Sequence, residues 1–161
     1  MYGRCLHRTK SKGVMTMKQI DKSINGLVRR IKQDERLKSL TFVKGFSSVE
    51  HPDPLEGYLI AVSTLDLSVG TNFVGESVGD NLKGMVQTAT VKFRVYAPKN
   101  DGGDGLLSLC CDLSDAIEKS DTMGVCEDVK ISSIAFDNDA NTVYRDVVAT
   151  LSFCVYEEVA I

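Results

Sequence analysis

The chain has 161 residues, 43% hydrophobic and 25% charged, with five cysteines, no tryptophan and a formal net charge of −3. That size suits one domain able to bury its own core without a metal or disulfide staple, and the proportions are those of an ordinary folded domain. The absence of a run of about 18 apolar residues argues against a membrane-spanning helix, and a basic N-terminus without an apolar stretch argues against a secretory leader.

The small net charge hides a segregation. Residues 1–40 carry eleven Lys and Arg against three acids, a net +8, whereas residues 41–161 carry eight basic and nineteen acidic side chains, a net −11. Opposite charge on two parts of one chain suits head-to-tail contact between identical subunits. A solvated helix face beside an unrelated acidic surface would give the same count. Nucleic-acid recognition is disfavoured, because the basic segment has little aromatic interleaving and no recognition motif.

Residues 1–15 are polar, basic and aperiodic, and read as a flexible arm. From Met17 the apolar residues Ile20, Ile24, Leu27, Val28 and Ile31 follow at helical spacing, which predicts an amphipathic helix ending near Lys38, with Thr16 as its N-cap. Gly26 weakens that helix and suggests a close contact. A short strand over 40–46 follows, then a loop with Pro52 and Pro54, then a continuous apolar run over 57–63 that fits a central strand. Residues 66–86 contain Gly70, Gly75, Gly79 and Gly84, the mark of a long loop or a protruding hairpin. Phe73 and Val74 within it need a partner surface to cover them.

The strand over 86–96 alternates apolar and polar residues and stops at Pro98. The turn Asn100 to Gly105 leads into a helix whose apolar stripe is Leu106, Leu109, Cys110, Leu113 and Ile117, capped by Asp101 or Asp104. A strand over 130–136 shifts its apolar phase between Ile131 and Ile134, so a β-bulge is expected at Ser132 and Ser133. Residues 137–142 turn the chain, and 143–157 form the longest strand. Together these elements describe an α+β domain over residues 16–161. A mixed or antiparallel β-sheet of about four to five strands packs against two α-helices and carries a long Gly-rich loop or hairpin.

The chemistry-bearing residues do not assemble into a catalytic pattern. The two histidines are His7, in the arm, and His51, beside Pro52, and neither sits in a context that makes a triad. The five cysteines (Cys5, Cys110, Cys111, Cys126 and Cys154) lack framework or zinc spacing and read as reduced thiols. The run Asp137 to Asn141 opens like a calcium loop, but Thr142 and Val148 stand where that motif needs Gly and Glu, so it reads as a turn. The Gly102 to Gly105 stretch lacks the Lys and Ser or Thr of a phosphate loop, and its aspartates repel an anion. No catalytic residue, cofactor or metal is expected, and the chain reads as a non-enzyme.

The order helix, strand, loop, strand, glycine-rich excursion, strand, helix, strand, strand over Met17 to Glu158 resembles the tail terminator (tail-to-head joining) family of tailed bacteriophages. The segments that carry it are Thr90 to Pro98, Gly105 to Lys119, Val129 to Phe136 and Val143 to Glu158. The basic arm before Met17 departs from that family's compact start. The resemblance implies a non-catalytic virion protein, assembled in the bacterial host cytoplasm. It would form a hexameric ring with copies of itself, cap the tail tube protein and present a docking surface to a neck or connector protein, with the tail sheath a further contact. No membrane and no sequence-specific nucleic acid are implied. Arg29, Arg30, Gly70, Phe73, Val74, Gly75 and Gly79 are the residues expected at a subunit or tube interface. A tail completion, neck or head-completion protein is the alternative, followed by a small non-catalytic ligand-binding domain.

Overall fold

A computed structural model describes residues 17–45, 55–73, 82–120 and 125–158. The elements run α1 (Met17–Ile31), β1 (Thr41–Lys44), β2 (Leu59–Phe73), β3 (Leu82–Tyr96), α2 (Leu106–Lys119), β4 (Val125–Ile131), β5 (Ala135–Asp137) and β6 (Thr142–Glu158). This is an α+β fold: a six-stranded mixed sheet in the order β1-β2-β3-β6-β4, with β5 also on β6. Among the described residues the β1–β2 pair is parallel and the other pairings are antiparallel.

Alternation along the strands decides which face is dry. Ala89, Val91, Phe93 and Val95 of β3 are fully buried, as are Val147 and Ala149 of β6, which lie opposite Phe93 and Val91 in the register. These side chains pack under Leu106, Cys110, Leu113 and Ile117 of α2 and Ile24, Leu27 and Ile31 of α1. Both helices therefore cover one face, as their apolar stripes predict.

The expected first helix stops earlier than Lys38. The Asp34 carboxylate accepts a hydrogen bond from the Arg36 backbone N–H at 2.9 Å. That donor is one the helix would need for its own ladder, so the side chain competes with the helix and wins. Tight turns then carry the chain to Leu37, which is fully buried. Gly26 marks no close contact, since a Cβ there would meet nothing within 4 Å.

At α2 the expected aspartate cap is absent. Gly105 occupies the N-cap position with no side-chain hydrogen bond, because the Asp101 carboxylate instead accepts the Tyr58 hydroxyl. The turn ahead of α2 depends on its glycines: Gly103 has φ +89, and a Cβ there would lie 2.7 Å from Ile134 Cδ1.

The strand expected over 130–136 is two strands, which brings the total to six. Residues 132–134 leave the ladder. Ser132 instead clamps β6: its N–H donates to Asp146 O, and its Oγ accepts from Asp146 N–H, both at 2.8 Å. The phase shift was the right signal, but the interruption is wider than a bulge. The turn at 137–141 matches its expectation, with Asp137 Oδ1 accepting the Asp139 and Ala140 N–H groups at 2.9 and 3.1 Å.

The glycine-rich segment takes the hairpin form wherever it is described. β2 continues to Phe73, which pairs with Met85 of β3. The register slips twice, between Thr64 and Asp66 and between Val69 and Phe73. The first slip turns Leu65 outward, 51% exposed. Gly70 lies in the second, where a glycine commonly marks an irregular ladder. Residues 74–81 lie outside the described residues.

Candidate assembly surfaces

Three surfaces carry functional potential: the two ends of the sheet and its helix-free face. At one end, β1 is a four-residue edge strand with Thr41 and Lys44 exposed. Beside it a groove of about 730 Å³ runs between α1 and the first two strands. Ile24, Val28, Phe42 and Val62 make its apolar floor, and Arg29, Lys32 and Lys44 give it three cations against Asp21. The Lys32 ammonium lies 5.3 Å from the Phe42 ring centroid, which fixes part of the groove wall by cation–π attraction.

At the other end, β4 pairs with β6 and with no further strand among the described residues. Glu127 and Asp128 on it are exposed. Glu118 of α2 stands close enough to Cys126 to help hold its thiol above the ordinary range, after burial, which is the larger cause. Asp128 keeps one cation nearby, Lys130 at 3.2 Å, with both side chains more than half exposed. One end of the sheet is thus basic and the other acidic.

The face that no helix among the described residues covers combines a small apolar cluster, Leu55, Leu59 and Tyr96, with a polar network. Arg94 donates to both carboxylate oxygens of Asp146, at 2.8 and 3.0 Å, with both side chains under one-fifth exposed. Its guanidinium lies 3.9 Å from the Tyr144 ring centroid. Tyr96 donates to Asp137 at 3.1 Å. Lys92, opposite Ser63 and Val148 in the register, has its pKa lowered by burial and by neighbouring Arg94, against the pull of Asp146. These groups form paired structural contacts, and no nucleophile and base are set together among them. Among the described residues, no three His, Cys, Asp or Glu side chains gather as a metal site. Cys110, fully buried, has its thiol pushed up to about 11 by that burial.

The residues expected at an interface divide. Arg29 lines the basic groove. Arg30 is exposed in the last turn of α1 and is not among the groove's lining residues. Gly70 and Phe73 belong to the outer part of β2, well beyond the groove. Val74, Gly75 and Gly79 lie outside the described residues. Sequence reasoning missed Lys32, Lys44, Glu118, Glu127 and Asp128 as a set. Their charges were visible, but the sheet order that sends them to opposite ends was not.

The fold defines an open-sheet α+β protein, helix-covered on one face, and no helix among the described residues is long and apolar enough to cross a membrane. No protein-family model matches the chain, and no curated protein does. Among solved structures, one whose name carries no functional description aligns over 92% of this chain and 99% of its own, at 12% identity and a TM-score of 0.42. That likeness carries no argument, and the α+β assignment rests on this chain's own sheet and helices.

Proposed function

We propose that this chain is a structural virion protein of the tail terminator kind. Copies of it form a ring, hexameric in that family, on the end of a phage tail tube. The ring stops tube growth and offers its far surface to the neck. It works by shape and performs no reaction. The observation that carries the reading is a sheet with no further strand at either end among the described residues, with basic groups at one end and acidic groups at the other. An exposed sheet edge is a template for pairing with another chain, and folds that stay monomeric blunt or cover it. Two different, complementary ends make a head-to-tail contact, which closes into a ring when the rotation per copy allows. The long β2–β3 hairpin supports the same reading as the element that reaches the tube, with Phe73 near its outer end.

Two measurements test this. Light scattering on the full-length chain, alone and with purified tail tubes, should give a ring mass in at least one condition. Electron microscopy of tails assembled without the protein should show overlong or ragged tubes. Tubes of normal length that still receive filled heads would overturn the proposal.

A further inference from the structure

We infer that neighbouring copies join through their backbones, β1 of one lying antiparallel to β4 of the next, so that the sheet continues from copy to copy. This inference rests on the ring reading and specifies its joint. The strand directions lead to it. β1 runs with β2, β2 against β3, β3 against β6, and β6 against β4, so β1 and β4 point in opposite directions within one sheet. A rotation that carries the sheet order onward into the next copy leaves strand directions unchanged. The incoming β1 therefore meets β4 antiparallel, the stronger pairing per residue.

Both edges hold backbone groups aimed outward. The Gly45 N–H donates to Val62 O at 2.7 Å. By alternation Val43 also faces β2, and Phe42 and Lys44 turn their N–H and C=O groups away from the sheet. On β4 the Ser132 N–H donates to Asp146 O at 2.8 Å. Lys130 accordingly faces β6, and Val129 and Ile131 face outward. Two residues on each edge thus offer matching sets of donors and acceptors, and among the described residues no other strand pairs with either edge.

Charge selects this joint over the symmetric ones. Arg29, Lys32 and Lys44 stand on the helix side of the β1 edge, and Glu118 is exposed in the last turn of α2, the helix that packs against β4 on that same side. Glu127 and Asp128 add two exposed carboxylates. Pairing β1 with a second β1 would set cations against cations, and β4 with β4 would set carboxylates against carboxylates, both unfavourable across strands. Only β1 with β4 brings opposite charges together.

The test uses the full chain and two kinds of change. Lys44→Pro removes one outward N–H at an edge that tolerates proline and leaves the β2 ladder intact. Lys44→Gln removes the charge and keeps the N–H. The proline variant should need up to about tenfold more protein than the glutamine variant to form rings, the effect of losing one edge hydrogen bond. Lys44→Glu and Glu118→Lys should each weaken ring formation, and the chain carrying both should recover it. Circular dichroism checks that each single variant and the proline variant fold. If the wild-type chain forms no ring alone or on tail tubes, the ring reading itself fails. If it forms rings and all of these variants assemble unchanged, the joint lies elsewhere, and this inference alone is overturned.

Discussion

The two faces of the sheet use the same three central strands and solve different problems. On the helix side every position of β3 from Ala89 to Val95 that points inward is fully buried and apolar. On the opposite side Thr88, Thr90, Lys92, Arg94 and Tyr96 alternate with them, and no helix among the described residues covers this row. The first face is held by apolar burial, which is non-directional. The second joins directed contacts, Arg94 with Asp146 and Tyr144, and Tyr96 with Asp137, to a small apolar cluster of Leu55, Leu59 and Tyr96. One strand sequence therefore carries a packing code and a polar-network code on alternate residues.

The largest break in that comparison comes from the dry face. Phe93→Ala empties the largest fully buried side chain under the helices and should cost about 3–5 kcal/mol. Urea unfolding followed by circular dichroism would register it as a lower midpoint at an unchanged slope. On the polar face, Asp146→Ala leaves the Arg94 guanidinium largely out of water without its bidentate partner. Its cost should be smaller, about 2 kcal/mol. Equal costs at the two positions would show that the faces are not held differently.

Gly26→Ala should move stability the other way. The residue is mid-helix with open space around its Cα, so alanine gains helix propensity without a clash, up to about 1 kcal/mol. A loss of stability there would mean that the added methyl group meets a close contact after all.

The two faces should also differ in their response to pH and to thiol reagents. For Asp137, burial acts to raise the pKa, but hydrogen bonds from the Ala140 N–H, the Tyr96 hydroxyl and the Asp139 N–H outweigh it, and the value falls below the ordinary 3.8. A group lowered on folding stabilises the folded state above its unfolded pKa. That stability is lost as pH falls through the lowered value. Thermal melts of the wild type should lose stability below about pH 4, and Asp137→Asn should reduce that slope. On the dry side, Cys110 is buried with its thiol raised to about 11, and its neighbour Cys111 is exposed. Mass-spectrometric mapping after iodoacetamide at pH 8 should find Cys111 modified and Cys110 intact until denaturant is added. Simultaneous labelling would mean that α2 does not lie tightly on the sheet.

Much of this was legible from residue order, because the strongest signals are local. The stripe Ile24, Leu27, Ile31 and the stripe Leu106, Cys110, Leu113, Ile117 each specify one buried helix face, and alternation over Val91 to Tyr96 specifies a strand with two unlike faces. The turn at Asp137 followed from the readiness of its side chain to bond its own backbone. Local signals misled where a distant partner competed. Asp101 was free to cap α2 in the sequence, but Tyr58, 43 residues earlier, takes it in the fold. The glycines over 66–84 left a long loop and a protruding hairpin both open, and pairing with β3, which local spacing does not encode, draws the chain into strand through Phe73.

Sequence alone settled an α+β chain with two amphipathic helices, long alternating strands and a basic front followed by an acidic remainder. Tertiary structure alone decided where the charges went. Strand order is a set of contacts between residues tens of positions apart, and nothing in local spacing encodes it. Once β1 and β4 became the two ends of one sheet, Lys44 and Glu118 came to stand at opposite ends of the molecule, where neither can neutralise the other within a single copy.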